Sequence, residues 1–294
     1  MVKNMLVTGG AGFIGSNLVD LLIEDGHKVT VWHNLITGLK DNVNPAAEFC
    51  LLDIRDIEPE EHKNRFDVIF HLAGLARIQP SFDNPAFTHE SNVSGTINIL
   101  EIARKSNVPC TKVVYAGSSS FYHDVHANPY TCTKWIAEEY CKLYSKCFEV
   151  PTAIARFFNV YGPRQIETGA YATVVGIFER QKREKEKCLT ITNSPKGWGV
   201  QRRDFTHVND ITSGLVAMSK EYWKGEVFNL GTGENHSIME VAKMFKPPSY
   251  GFLETRPGEA QDTLADISFT TEKLGWKPEH RLEDYVEKFV SDLK

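Results

Sequence analysis

The sequence predicts an α/β protein: a doubly wound parallel sheet followed by a smaller, mostly C-terminal α/β domain. Three observations predict it. Short apolar strands alternate with helical segments from residue 3 to residue 158, the pattern of a parallel sheet covered on both faces. A glycine-rich turn, Gly9-Gly10-Ala11-Gly12-Phe13-Ile14-Gly15, follows the first strand directly and opens a helix. Beyond Gly162 the alternation weakens and turn sequences multiply. The first domain is assigned residues 1–160, with 204–230 returning to it, and the second residues 161–203 and 231–294.

The elements follow in order. Residues 3–8 form a strand, and residues 16–24 have helical periodicity. Glycines at 9, 12 and 15 allow a tight turn, close approach of a pyrophosphate and close packing of helix on strand, which is the Rossmann arrangement for a dinucleotide. The second strand, 28–32, ends at His33 and Asn34. A dinucleotide fold usually places an acid there for the adenosine ribose. Neither residue repels a 2′-phosphate, so NADP stays open beside NAD, with Asn34 and the backbone able to hold the ribose. Strands follow at 49–54, ending in Asp53-Ile54, at 67–73, at 112–116 and at 152–158, with an amphipathic helix at 92–105. Ligands of such sheets sit beyond the carboxyl ends of the strands. His71-Leu72-Ala73-Gly74 and Ser118-Ser119-Ser120 stand at such ends. Farther on, the charge run 180–187 reads as a solvated helix end. Residues 193–199 read as an exposed loop, and 282–293 as a closing helix.

Composition narrows the function. A content of 41% hydrophobic and 24% charged residues over 294 residues is that of a soluble globular protein. The net charge of -5 gives no electrostatic reason to expect nucleic acid or an anionic membrane as partner. No apolar run is long enough to span a bilayer, and the N-terminus enters a strand without a leader's basic region. Cysteines at 50, 110, 132, 141, 147 and 188 show neither Cys-x-x-Cys nor a Cys/His ligand pattern. Free thiols, a cytoplasmic location and no structural metal are expected.

The chemistry centres on Tyr130 and Lys134, in Asn128-Pro129-Tyr130-Thr131-Cys132-Thr133-Lys134. Pro129 marks a helix start, and a spacing of four puts both side chains on one face. A neighbouring ammonium favours the phenolate and lowers the tyrosine pKa, so that Tyr130 can act as a general base.

These residues identify the chain as similar to the extended short-chain dehydrogenase/reductase family, and within it to the nucleotide-sugar epimerases, particularly the UDP-sugar 4-epimerases. The resemblance runs from residue 3 to about residue 290. It rests on Thr-Gly-Gly-Ala-Gly-Phe-Ile-Gly at 8–15, His-Leu-Ala at 71–73, Asn-Val-x-Gly-Thr at 92–96 and Tyr-x-x-x-Lys at 130–134. Farther on come Arg-Phe-Phe-Asn-Val-Tyr-Gly-Pro-Arg at 156–164, Arg-Asp-Phe-Thr-His-Val at 203–208 and Arg-Pro-Gly-Glu at 256–259.

The resemblance implies a fold, a cofactor and a set of roles. A large domain takes NAD through Gly9, Gly12, Phe13, Ile14, Gly15, His33, Asn34, Asp53, Ile54, Leu72, Ala73, Gly74 and Asn92, with Tyr130 and Lys134 at the nicotinamide ribose. Ser118, Tyr130 and Lys134 are the catalytic set. Ser119, Ser120, Asn159, Arg203, Arg256, Glu259 and Thr263 face the substrate, a nucleotide diphosphate sugar of the UDP-hexose type. The arginines suit a diphosphate through their forked donors. Thr263, small at the sugar's end, leaves room for a 2-acetamido group. The implied reaction takes the 4-hydroxyl proton to Tyr130, with Ser118 sharing it, and the C4 hydride to NAD; the 4-keto sugar turns over and the hydride returns to its other face.

In related dehydratases an Asp-Glu pair follows the catalytic hydroxyl, and in decarboxylases a Glu. Ser119 and Ser120 stand there and cannot do that acid/base work near neutral pH. A 4-keto reductase stays open, as does a catalytically silent NAD-binding scaffold. Relatives also imply a homodimer through helices carrying Ile97, Leu100, Ile136, Tyr140 and Leu143. The chain departs from the pattern at His33, at His123 where glycine is common, and in shortened segments at 124–129 and 244–256.

Overall fold

Strand β1, Asn4–Thr8, is buried from Met5 onward. A short run with both faces covered is the signature of a strand inside a parallel sheet. In the computed structural model, which describes residues 1–106 and 111–293, β1 lies between β2 (Lys28–His33) and Val68–His71, parallel to both. Strand β3 is Glu48–Leu51, and β4 is Val68–His71. Strand β5, Lys112–Ser118, is buried throughout, and β6 spans Thr152–Phe157. The seven-stranded sheet runs in the order Lys224–Leu230, β6, β5, β4, β1, β2, β3. The order reverses about β1, which is where a doubly wound sheet opens its crevice for a ligand.

The chain divides into two compact units, Met1–Arg156 with Thr212–Phe228, and Phe157–Ile211 with Asn229–Lys294. The segment returning to the first unit is narrower than the expected 204–230. Residues 204–211 stay with the second unit, because Asp204 bonds to Thr232, Gly233 and Ala265 there.

In the first unit, helix α1 (Phe13–Glu24) buries Gly15, Leu18, Val19 and Leu22. Helix α2 (Gly95–Lys105) continues from a π-helical turn at Glu90–Ser94, within the expected 92–105 helix. Helix α3, Pro129–Phe148, has a defined start: the Asn128 side chain accepts the Thr131 N–H at 2.8 Å, and Pro129 occupies the first turn. That cap sets the phase of Tyr130, two residues later. Leu6, Trp32, Ile69, Ile99, Leu100, Tyr115, Ala137 and Ile154 belong to the core of this unit. Leu100 is therefore a core residue and not part of a surface stripe.

In the second unit, Asn159–Tyr161 pairs parallel with Phe205–His207. Leu189–Ser194 is the middle strand of a three-stranded sheet, between Tyr250–Leu253 and Gly197–Trp198. The expected loop at 193–199 is a hairpin, in which Asn193 pairs with Trp198 and Ser194 with Gly197. Tyr161, Phe178, Ile191, Phe205, Val241, Phe245 and Val286 fill the core. The charge run begins in the last turn of the helix Val174–Arg183 and runs past its end, and Arg180 pairs with Glu184 and Glu186. Among the described residues no helix is long and apolar enough to cross a membrane. Cys50, Cys132, Cys141, Cys147 and Cys188 are free thiols; Cys110 lies outside the described residues.

Candidate active site

The glycine turn is built against β4. Gly9 has φ 75°, and a Cβ there would meet the Ala73 nitrogen at 2.8 Å and the Leu72 carbonyl carbon at 2.9 Å. A Cβ on Gly15 would collide with the Gly9 carbonyl oxygen. Gly12 caps α1 without a side-chain bond. The first-turn amides of Phe13, Ile14 and Gly15 have no partner inside the helix. Uncapped donors at a helix N-terminus suit a pyrophosphate, so the turn fits a dinucleotide.

Around it, the sequence-assigned residues divide into those that face outward and those that brace. Leu72 N–H donates to the Thr8 carbonyl, and Ala73 N–H to the Thr8 hydroxyl, which seats the 72–74 turn on β1. Asn92 is 1% exposed; its amide accepts from Leu75 N–H at 2.8 Å and donates to the Leu75 carbonyl and the Thr133 hydroxyl. It braces the Gly74 turn against α3. His33 is buried, and its Nδ1 accepts the Leu35 N–H at 2.7 Å, so burial holds the ring neutral with its proton on Nε2. Exposed Asn34 donates to Asp53 at 2.8 Å. The Asp53 carboxylate also takes Arg55 through Nε and Nη2, and that pairing holds it down at about 2. Ile54 turns its side chain into the core toward Gly95. β3 ends at Leu51, so Asp53 and Ile54 lie in the turn beyond it and not in the strand.

At the end of β5 the chain brings Ser118 to Tyr130. The phenol O–H lies 3.1 Å from Ser118 Oγ, across twelve residues of sequence. Ser118 Oγ also receives the Ser120 N–H at 3.2 Å and the Ser120 hydroxyl at 2.9 Å. Ser119 is half-buried beside them. The Tyr130 N–H is anchored on Ser81 Oγ at 3.0 Å. Lys134, one turn on, is 8% exposed with its ammonium 4.3 Å from the Tyr115 ring centroid.

The electrostatics differ from the simple tyrosine–lysine expectation. Burial pushes the Tyr130 phenol above its ordinary value, against which the Ser118 hydrogen bond and the Arg77 guanidinium pull it down. Desolvation is thus the larger effect, and the phenol is protonated here. Burial also lowers the Lys134 ammonium to about 8, with Glu138 opposing the fall. Ser118 is a hydroxyl ringed by donors and able to pass a proton either way; Tyr130 bonds its hydroxyl and Glu138 its backbone N–H.

In the second unit, Asn159 is half-buried, and its backbone N–H bonds to the Asp204 carbonyl. Arg203 is buried; it donates to the carbonyls of Arg202 and Gln261 and lies 3.9 Å from Glu259. Glu259 is thus placed as the counter-charge of Arg203. Arg256 is exposed, on the segment leading to Glu259. Thr263 is buried, and its hydroxyl accepts the Asp204 N–H at 3.2 Å. Its first task is therefore internal, and a tyrosine at this position would break that bond and displace the wall around Asp204.

Sequence reading missed several residues. Asp204 is fully buried and accepts from the N–H groups of Thr232, Gly233 and Ala265 and the Thr232 hydroxyl. Glu138 and Arg156 form a buried ion pair at 2.7 Å. The signal for Glu138 was present, since it lies one further turn along the Tyr130–Lys134 face; nothing local marks its partner.

A Rossmann cradle joined to a serine–tyrosine–lysine cluster defines a dinucleotide-dependent enzyme of the short-chain dehydrogenase/reductase type. Residues 5–231 match the NAD dependent epimerase/dehydratase family, and the chain belongs to that family, with NAD as its cofactor. The putative UDP-glucose 4-epimerase of Methanocaldococcus jannaschii is 38% identical over 312 residues, covering 99% of this chain and 98% of that one. UDP-glucuronic acid decarboxylase 1 of Xenopus tropicalis is 33% identical over 313 residues, covering 98% of this chain and 71% of that one. The structure of UDP-N-acetylglucosamine 4-epimerase from Methanobrevibacter ruminantium M1, in complex with UDP-N-acetylmuramic acid, matches with a TM-score of 0.88 at 28% identity. It covers 99% of this chain and 97% of that one.

Proposed function

We propose that this enzyme inverts C4 of a nucleoside diphosphate sugar of the UDP-hexose type. The observation that carries the reading is the Tyr130 hydroxyl at 3.1 Å from Ser118, with Lys134 buried one turn on and no carboxylate at 119 or 120. NAD, which the glycine turn at Gly9, Gly12 and Gly15 would hold, would supply a reversible hydride acceptor for the C4 hydrogen. Tyr130 takes the 4-hydroxyl proton, directly or through Ser118, and returns it after the sugar has turned over. The phenolate this requires is favoured by the Ser118 hydrogen bond and the Arg77 guanidinium, and the Lys134 ammonium one turn on is assigned the same part. Arg203, Arg256 and Asn159 hold the nucleotide diphosphate as the fixed pivot, while loose sugar contacts permit the turn. Ser119 and Ser120 lack the acid/base strength that removal of water across C5 and C6, or of the C6 carboxylate, requires.

The enzyme acts in the cytoplasm as a homodimer in this reading. Half-buried Ile97, Ile136 and Tyr140 and exposed Leu143 on α2 and α3 support a contact between two copies. Light scattering at micromolar concentration checks it, and a monomer mass rejects it.

Incubation with UDP-glucose, UDP-galactose, UDP-N-acetylglucosamine and UDP-glucuronic acid, with products resolved by chromatography, tests the function. Interconversion of C4 epimers without added reductant is expected. Loss of water or carbon dioxide, stoichiometric consumption of reduced cofactor, or binding without product overturns the reading in favour of a dehydratase, a decarboxylase, a reductase or a scaffold respectively.

A further inference from the structure

We propose that Glu138 and Arg156 are positioning residues: their ion pair clamps the serine turn at both ends and so fixes the Ser118 hydroxyl against Tyr130. The proposal rests on Ser118 and Tyr130 being the proton-handling pair of the reading above. Four observations carry it. Arg156, on β6, gives Nη2 to Glu138 Oε2 at 2.7 Å and Nε to the same oxygen at 3.1 Å. The other carboxylate oxygen, Oε1, accepts the backbone N–H of Ser118 at 3.4 Å. A Cβ on Gly117 would stand 2.7 Å from that Oε1, so a glycine at 117 is what lets the carboxylate reach the end of β5. On the far side, the Arg156 guanidinium carbon lies 3.4 Å from the Phe121 ring centroid and 5.0 Å from that of Tyr122. The 3₁₀ turn Ser119–Tyr122 is therefore held by a carboxylate where it begins and by a guanidinium where it ends.

Stability alone does not account for the pair. Both members are nearly sealed from solvent, at 5% and 1% side-chain exposure. A buried ion pair is often no better for stability than well-packed apolar residues of the same volume. What the pair does that an apolar cluster cannot is hold a backbone N–H and an aromatic face at once. Ser120, inside the clamped turn, sends both its N–H and its hydroxyl to Ser118 Oγ. A drift of the turn thus alters the donors around Ser118 and its 3.1 Å approach to Tyr130. Misplacing a reacting group by about 1 Å costs about 10²-fold in rate. Glu138 also faces Lys134 one turn away and opposes the loss of its charge.

The test removes both charges together, as Glu138→Gln with Arg156→Met, which leaves neither member of the pair as a lone buried ion, and combines this with Ser118→Ala in a double-mutant cycle. The double variant is expected to lose about 10²-fold in kcat with KM changed less than about threefold. In the Ser118→Ala background it is expected to lose less than about threefold more. In cofactor-free protein, amides 118–122 are expected to exchange at least about tenfold faster while the central strands keep their protection. Phe121→Ala, which removes the nearer of the guanidinium's two aromatic platforms and keeps both charges, gives the same signature in milder form should the double variant fail to fold. A folded variant with wild-type kcat, or a full additional loss in the Ser118→Ala background, overturns the clamp. If the wild-type protein turns over no nucleotide sugar, the functional reading fails on its own. The exchange measurement still decides the clamp, which unchanged protection at 118–122 refutes.

Discussion

Replacing Tyr130 by phenylalanine deletes one oxygen and leaves the ring and the backbone anchors. The Tyr130 N–H keeps Ser81 and its carbonyl keeps the Thr133 hydroxyl. The lost bond is the one to Ser118 at 3.1 Å, and Ser118 Oγ retains the Ser120 N–H and hydroxyl. A neutral hydrogen bond is worth about 0.5–1.5 kcal/mol net, so stability should fall by no more than about 1.5 kcal/mol. Loss of the general base should lower turnover by about 10²–10⁴-fold, or about 2.7–5.4 kcal/mol of barrier. Affinities for NAD and the nucleotide diphosphate should stay within about threefold, since by this reasoning the phenol acts in the transition state and not in ground-state binding. The assay measures product formation with the preferred UDP-sugar, binding by calorimetry and unfolding by urea on the same preparation. Turnover within about threefold of wild type refutes the base assignment. So does a loss of nucleotide affinity as large as the loss of turnover, which would make Tyr130 a binding residue.

Lys134 gives a pH prediction. Its folded-state pKa is lowered from 10.5 to about 8, so the unfolded chain holds the proton to higher pH and folding stability rises as pH climbs from about 8 toward 10.5. Urea unfolding of cofactor-free protein at two pH values in that window should show this rise in wild type and a smaller one in Lys134→Met; equal slopes refute it. Asp204→Asn should destabilise by about 1–3 kcal/mol, the cost of orphaning a buried donor, because an NH₂ in place of Oδ2 faces the buried Ala265 N–H. A change below about 1 kcal/mol would remove Asp204 from its organising role. His33→Asp should sharpen the preference for NAD over NADP, since a carboxylate repels a 2′-phosphate and the neutral imidazole does not. Calorimetric dissociation constants for the two cofactors give the ratio, and an unchanged ratio refutes the role of His33.

Much of the protein was legible in one dimension because its signals are local. The strand–glycine–helix order marks β1, its turn and α1 within residues 4–24. Asn128 and Pro129 mark the start of α3 and so the facing of Tyr130 and Lys134. The short approach of strand ends to glycines follows from the same pattern. The hairpin at residues 193–199 escaped because its pairing depends on the strand before it, while its composition is that of any turn. The end of β3 escaped because apolar Leu52 and Ile54 prolong the strand pattern although Ile54 packs under α2.

The sequence by itself determined the parallel α/β class, the glycine turn that opens α1 and the shared helix face of Tyr130 and Lys134, while Ser118 was singled out by the family resemblance. These depend on residue type and on spacings of a few positions, where backbone geometry dictates which side chains share a face. Only the tertiary structure decided that Asn92 ties Leu75 to Thr133, that the Thr263 hydroxyl bonds Asp204, and that Glu138 meets Arg156 across 18 residues and Ser118 across 20. It also decided the sign of the Tyr130 shift, because desolvation is set by everything packed around the phenol, and no spacing along the chain records that.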